Sequence, residues 1–341
     1  MKSVGQPLST PSSIVDLPPL IIGGATFNYQ YTDNPENAPI YEILDLAFST
    51  GLIALDTSPY YGPSEILIGK ALQELHQQGK WKRENYFICT KAGRVKLNDF
   101  DYSRESINAS IRRSCERLGT SYLDLVYLHD IEFVQENDIY EALRELKLLK
   151  DQGIIKNFGV SGYPVDFLYK IALGAKNSDI GPLDAILSYS NGCIQNTILF
   201  DYYEKFLDCG IKKIMNGSIL SMSLLRSGKT HDFHPAPAEL KRSVEEVADY
   251  VAEHYHEDLA ELATRFALKK WLFDEDSEWN NKVSIVLGLS NVKELKSAID
   301  NYWKVKMNME NINDEDAVRF KKVQQLLGDH YNETWESGIE H

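Results

Sequence analysis

The sequence predicts an α/β protein, a closed (β/α)8 barrel of the TIM type, and three observations carry that prediction. Eight short runs rich in Val, Ile, Leu and Tyr recur along the 341 residues, each followed by a stretch with helical spacing. Strict alternation of strand and helix requires parallel strands joined by crossovers. Eight such units occupy about 270 residues, the size of one barrel. Neither Gly-x-Gly-x-x-Gly nor a Walker A motif occurs, and "GPSEILIGKA" ends in Gly-Lys at the wrong spacing, which disfavours an open dinucleotide-binding sheet.

The first unit reads "LIIGGATF" (20–27) and then "PIYEILDLAFSTG", with apolar residues three and four apart and Gly51 as a stop. "LIALDTS" (52–58) leads into "SEILIGKALQEL", and "YFICTKAG" (86–93) into "SRESINASIRRSCERLG". "LDLVYLHD" (123–130) is followed by "DIYEALRELKLLKDQG", and "IIKNFGVSG" (154–162) by "VDFLYKIAL". "LDAILSYS" (183–190) precedes "LFDYYEKFLDCG"; "IKKIMNGS" (211–218) precedes one long helical stretch, "SVEEVADYVAEHYHEDLAELATRFALKKWL"; "VSIVLGLS" (283–290) precedes "NVKELKSAIDNYW". Two regions exceed a minimal barrel. One is the excursion 219–282 between the seventh and eighth strands, and the other is a C-terminal helical extension with "EDAVRFKKVQQLLG" and the aromatic tail "HYNETWESGIEH". The expectation is one domain over 1–341, with its core at about 20–302 and the extension at about 303–341.

Composition narrows the functional classes. No run approaches the roughly 18 apolar residues of a membrane span, and no basic start followed by an apolar segment marks an export signal, so the expected compartment is the cytoplasm. A net charge of -14 disfavours nucleic acid or an anionic membrane as partner, since both demand clustered Lys and Arg. Cys89, Cys115, Cys193 and Cys209 stand far apart, the pattern of reduced thiols rather than of a zinc site or redox pair. His231, His234, His254 and His256 do not make a metal site, because the second pair falls at i and i+2 of a predicted helix and faces different ways. The expected assembly is a monomer or a homodimer.

Polar residues interrupt the strands at one end. Asp56 closes the second strand, Lys91 the third, His129 the fourth and Ser161 the fifth, all on the face where barrels of this type carry their sites. Tyr61 follows in the loop after the second strand and can turn back over the mouth. Their types are complementary. A phenol titrates near 10, and a neighbouring ammonium at about 4 Å and an effective dielectric of about 20 would favour the phenolate by on the order of 4 kcal/mol before losses. Lys91 would itself lose its proton in a dry mouth unless Asp56 supplied the counter-charge, and His129 offers an uncharged N–H donor. Such a group moves a proton on or off an alcohol or carbonyl oxygen while a cofactor carries the hydride.

"LDTSPYYGPSE", "ICTKAG" and "DLVYLHD" together resemble, in order and spacing, the three motif segments of the aldo-keto reductases, and the resemblance runs from about Leu20 to Tyr302. It implies a catalytic tetrad of Asp56, Tyr61, Lys91 and His129, with Tyr61 as base in oxidation, and a nicotinamide cofactor bound in extended form. The cofactor contacts it implies are Ala25 and Thr26 after the first strand and Ser161 and Gly162 in "GVSG". They continue with Gly217, Ser218, Leu220 and Ser221 in "MNGSILSMSLL", and with Gly288, Ser290 and Glu294 in "VLGLSNVKELKSAI". Several positions depart from the family pattern. Gly162 replaces an Asn, Ile186 or Ser188 stands where a Gln is expected, and Gly217 replaces a stacking aromatic. At the last loop Gly288 and Glu294 stand where NADP-dependent members carry Lys and Arg, so NAD is the implied cofactor, with Lys293 or Lys296 as the competing possibility for a 2'-phosphate.

"QYTDNPENAPI", "RRSCERLGTSYLDLVYLHDIEFV", "IIKNFGVSGYP", "SILSMSLLRS" and "WESGIEH" resemble the fungal sugar-oxidising branch of the family, related to a plant branch that oxidises galactose. That implies a small-molecule sugar substrate and oxidation of an aldose, D-arabinose first, at C1 to the 1,4-lactone on the route to erythroascorbate. Two other readings share the tetrad: an NADP-dependent reductase of small aldehydes, and a regulatory barrel like the potassium-channel β-subunits. The "THDFHPAP" loop is expected to act as a lid. Trp335 could sit at the rim or beneath the barrel.

Overall fold

The computed structural model describes residues 3–4, 13–273 and 281–336; of the tail motif "WESGIEH", the last five residues lie outside the described residues. Eight parallel strands form the barrel: β1 (Leu20–Gly23), β2 (Ala54–Asp56), β3 (Phe87–Ala92), β4 (Leu125–His129), β5 (Phe158–Gly162), β6 (Ala185–Tyr189), β7 (Lys213–Gly217) and β8 (Val283–Gly288). Each strand pairs with the next, and β8 closes on β1 with Gly288 opposite Gly23. This is the predicted TIM-type barrel.

Strand periodicity sorts the side chains. Ile22, Leu55, Ile88, Val126, Leu128, Val160, Ile186 and Ile285 face outward into the layer shared with the helices, while Ile21, Ala54, Cys89, Tyr127, Leu187 and Met215 face inward. Two residues further along three of these strands, the inward parity reaches Asp56, Lys91 and His129. The tetrad strands therefore carry their polar ends inward for the same geometric reason that they carry apolar residues there lower down. Ile14 and Leu17, in and beside the short helix Ile14–Asp16, pack into the same interior cluster and close its floor.

The helices are α1 (Ile40–Ser49), α2 (Ser64–Gln77), α3 (Arg104–Leu118), α4 (Glu136–Asp151), α5 (Val165–Lys176), α6 (Tyr203–Asp208), α7 (Ala238–Tyr255), α8 (Leu259–Leu272), α9 (Val292–Lys306) and α10 (Ile312–Leu327). The single long helix expected before β8 is two helices. His256 ends α7 in a left-handed conformation (φ 56°), and Asp258 caps α8 by accepting from the Ala260 N–H at 2.8 Å. The break lets α7, α8 and α10 pack into a second core that includes Val247, Phe266, Phe320 and Val323. Arg265 pins α10 there through Asp316 (2.6 Å) and also pairs with Glu257 (2.8 Å).

A small hairpin (Arg94–Lys96 with Asp99–Phe100) rises after β3, outside the eight apolar runs. Gly93 enters it at φ 100°, and a Cβ there would lie 2.2 Å from the Tyr102 ring. Among the described residues no helix is long and apolar enough to cross a membrane. The four cysteines are free, three of them buried.

Candidate active site

Three strands and one loop converge at the mouth. Lys91 Nζ donates to Asp56 Oδ1 at 2.5 Å and to the Thr57 carbonyl at 3.0 Å, with both charged side chains almost fully buried. The same ammonium lies 4.8 Å from the centre of the Tyr61 ring. Tyr61 meets the His129 ring edge to face, centroids 5.6 Å apart. The structure thus brings Asp56, Tyr61, Lys91 and His129 into one cluster. Asp56 Oδ2 is buried and has no hydrogen-bond partner, so the carboxylate is only half satisfied.

The electrostatics follow from crowding. Burial pulls the Lys91 ammonium down, but Asp56 and Tyr61 beside it outweigh that pull and hold it above its ordinary value. Burial pushes Asp56 up against the opposing attraction of Lys91. Tyr61 departs from expectation: although part of the residue is open to solvent, the dense protein around it desolvates the phenol, and that effect exceeds the help from Lys91. Its pKa is raised rather than lowered. Burial, with Lys91 and Arg94 nearby, holds His129 well below 6.5, so the ring is neutral at physiological pH.

The tautomer of His129 is set by its neighbours. Ser58 Oγ accepts from the Tyr60 N–H (3.1 Å) and lies 3.0 Å from His129 Nδ1, where it donates because the Asp130 carboxylate on the other ring nitrogen can only accept. The ring hydrogen is then on Nε2, 3.5 Å from Asp130 Oδ2. Asp130 in turn is ion-paired with Arg94, whose guanidinium lies 4.1 Å from the Tyr60 ring centre. Ser58, Arg94 and Asp130 were not singled out from the sequence. The only sequence signals were a second carboxylate directly after His129 and an arginine three residues after Lys91.

The residues expected to contact the cofactor divide. Ala25 and Thr26 lie in the short helix Gly24–Thr26, and Thr26 Oγ1 ties this loop to the Leu289 carbonyl at 2.7 Å. Ser161 is buried and donates to the Leu128 carbonyl at 3.2 Å, which leaves its oxygen free to accept. At Gly162 a Cβ would stand 2.3 Å from Glu132 Oε2. Glu132, buried and accepting from the Tyr163 N–H, fills the space an Asn side chain would need. Ile186 and Ser188 are both buried, but Ile186 packs outward toward the helices while Ser188 Oγ accepts from Asn191 Nδ2 at 3.1 Å.

Gly217 closes β7, and Ser218, Ser221, Met222 and Ser223 after it all adopt positive φ, a run of strained backbone of the kind kept at functional sites. Leu220 is half-buried in this turn. Gly288 and Ser290 are exposed at the rim. Glu294 spends its carboxylate on the start of α9, accepting from the Ser290 N–H (2.7 Å) and from Asn291 Nδ2 (2.8 Å).

The excursion and the tail meet at this same end. His234 Nδ1 accepts from the Ala236 N–H, so Nε2 donates to the Ser221 carbonyl at 2.8 Å. Trp335 stacks on Tyr163, one residue beyond β5, at 4.6 Å and 12°, with His234 edge-on to it. Trp335 is therefore at the rim. His231 and Phe233 close against Tyr31 from the first loop. Among the described residues no group of three His, Cys, Asp or Glu side chains is arranged to hold a metal.

A buried ion pair beneath a tyrosine and a neutral histidine at the C-terminal mouth of an eight-stranded barrel defines an oxidoreductase class: the chain belongs to the aldo/keto reductase family, matched over residues 19–319. Among individual proteins, it is similar to D-arabinose 1-dehydrogenase of Saccharomyces cerevisiae, 49% identical over 335 residues and 97% of each chain. It is also similar to L-galactose dehydrogenase of Arabidopsis thaliana, 32% identical over 86% of this chain and 85% of that one. An aldo-keto reductase of Bacillus halodurans, solved in its holo form, superposes with a TM-score of 0.60 over 84% of this chain and 86% of its own, at 19% identity. That likeness is one of fold.

Proposed function

We propose that the protein is a cytoplasmic, single-domain, NAD-dependent aldose 1-dehydrogenase that oxidises D-arabinose at C1 to the 1,4-lactone, the step that feeds erythroascorbate. The observation that carries this reading is the cluster of Asp56, Tyr61, Lys91 and His129 in one mouth. The sugar follows the name of the 49% identical yeast relative.

The residues around the mouth fit an extended dinucleotide. Buried Ser190 Oγ, Ser221 Oγ and Asn216 Oδ1 have no hydrogen-bond partner within the protein, and the left-handed turn at Ser221–Ser223 is backbone shaped for a ligand. NAD, when bound, supplies the hydride acceptor. Glu294 with Gly288 at the rim favours a free ribose hydroxyl over a 2'-phosphate; a carboxylate has about four acceptor sites, so its two contacts at the α9 start leave lone pairs to spare.

In this reading the furanose places its anomeric hydroxyl between Tyr61 and His129. The His129 Nε2–H holds the oxygen, and the Tyr61 oxygen takes the hydroxyl proton as C1 loses hydride. Lys91 favours the phenolate, and Asp56 keeps Lys91 charged. Because burial leaves the Tyr61 phenol above its ordinary value in the free protein, turnover should climb with pH into the alkaline range.

The test is NADH formation from D-arabinose at alkaline pH, with NAD and NADP compared over a panel of aldoses. Faster turnover with NAD on D-arabinose is expected. A tenfold preference for NADP with faster aldehyde reduction would replace this reading by a small-aldehyde reductase. Tight cofactor binding without turnover on any aldose would favour a regulatory barrel.

A further inference from the structure

Arg94 is placed where a surface arginine would not be expected. It leaves the β3 end, turns back over the mouth, and is half-buried among the Tyr60 ring at 4.1 Å, the Phe100 ring at 5.2 Å and the Phe133 ring at 5.6 Å. Phe100 and Phe133 stack on each other at 5.0 Å. One guanidinium nitrogen reaches Asp130, another donates to the Leu97 carbonyl at 2.8 Å, and Nε is buried without a partner. Burying an arginine in this way is costly unless its charge is used.

Asp130 is equally constrained. It follows His129 at φ 57°, a left-handed conformation that turns its carboxylate back over the strand end, and it is nearly fully buried. Its Oδ2 lies between Arg94 and His129 Nε2. The groups facing His129 are Ser58, Tyr60 and Tyr61 from the loop after β2, Lys91 and Arg94 from the β3 side, Tyr102 on its carbonyl (2.7 Å), and Asp130 directly after the end of β4. Among the described residues, Asp130 is the one carboxylate in direct contact with the ring.

We propose that Arg94 and Asp130 are positioning residues for the aldose: Asp130 steadies the outward nitrogen of His129 in the mouth as donor to the reacting oxygen, and Arg94 cancels the carboxylate's charge so that this donor is free to turn to substrate. The inference rests on the proposed role of His129 but concerns groups beyond the tetrad. An unbalanced carboxylate 3.5 Å from Nε2 would stabilise the imidazolium and compete with substrate for its hydrogen. With Arg94 in place neither happens, and a sugar hydroxyl meets a neutral donor.

The test is a nitrogen-resolved histidine NMR titration of the full-length protein, with His129 assigned by His129→Asn. In the wild-type protein the His129 ring is expected to stay neutral, hydrogen on Nε2, down to pH 6. In Arg94→Met its ionisation should move up by at least about one pH unit, with about a tenfold loss of kcat/KM for D-arabinose at pH 7. Arg94→Met with Asp130→Asn should reverse the ionisation shift, and Arg94→Lys, which restores charge without the fork, should restore it in part. An unchanged His129 titration in folded Arg94→Met overturns the proposal. Should that variant not fold, Asp130→Asn decides: a raised KM with a changed Nε2 signal supports the pair, and wild-type values for both refute it. The titration needs no turnover, so loss of the proposed activity and loss of the positioning role would be seen separately.

Discussion

The two ends of the barrel both bury carboxylates against cations, and they treat them differently. At the floor, Asp124 accepts from the Ile88 N–H (2.8 Å) and pairs with Arg83 (2.5 Å) and Lys156 (3.4 Å). Asp184 accepts from the Phe158 N–H (3.1 Å) and pairs with Lys150 and Lys212. Both oxygens of each are used. At the mouth, Asp56 keeps one oxygen without a partner, and the non-glycine residues at the ends of β4, β6 and β7 take positive φ. The floor spends its charges on starting strands, whereas the mouth leaves groups under-satisfied and strained. In the proposed function, that difference separates the structural ion pairs of the floor from a reactive one at the mouth.

The sharpest way to break the comparison is at Tyr61. Tyr61→Phe should lower kcat/KM for aldose oxidation by about 10³-fold while NAD binding and the unfolding midpoint stay near wild type, read from initial rates, fluorescence titration and urea melts. Retained activity would remove the titrating oxygen from the mechanism. The floor should answer in the opposite currency. Asp124→Ala should cost about 3 kcal/mol in urea unfolding, since it orphans a buried N–H and frees the half-buried Arg83, yet kcat of the folded fraction should be unchanged.

Lys213 sharpens the picture at the floor. It is buried and donates to the Leu17 carbonyl at 2.9 Å and the Asn281 carbonyl at 3.3 Å, and burial lowers its pKa to about 7. Between pH 7 and the ordinary lysine value near 10.4, the unfolded chain binds a proton that the folded protein does not, so folding stability should rise with pH across that window. Lys213→Met should lose that rise; equal pH slopes of the urea midpoint in the two proteins would contradict it. The smallest effect expected is at the rim. Glu294→Arg should raise the NADP to NAD ratio of kcat/KM about tenfold and, by weakening the start of α9, cost about 1 kcal/mol. An unchanged ratio would confine Glu294 to its capping role.

Much of this architecture was legible in the sequence because strand alternation is a local signal. Eight apolar runs with helical stretches between them allow few arrangements, and period-2 parity along three strands is enough to turn Asp56, Lys91 and His129 into the same interior. What was missed depended on contacts between distant segments. The α7–α8 break at His256–Asp258 was hidden by continuous apolar spacing, even though Asp258 is a cap residue. The net direction of the Tyr61 shift depended on how much protein surrounds the phenol, which no motif states.

The chain's own pattern determined the barrel and the end that carries polar groups, because each depends on spacing along one or two segments, while the choice of Tyr61 over its neighbour Tyr60 came from the family resemblance. Only the tertiary structure decided that Trp335 lies at the rim on Tyr163, and that Glu132 takes the space beside Gly162. The same holds for Arg94 closing on Asp130 behind His129. Those are meetings of side chains from different loops, and their outcome is set by volume and charge in three dimensions rather than by order in the chain.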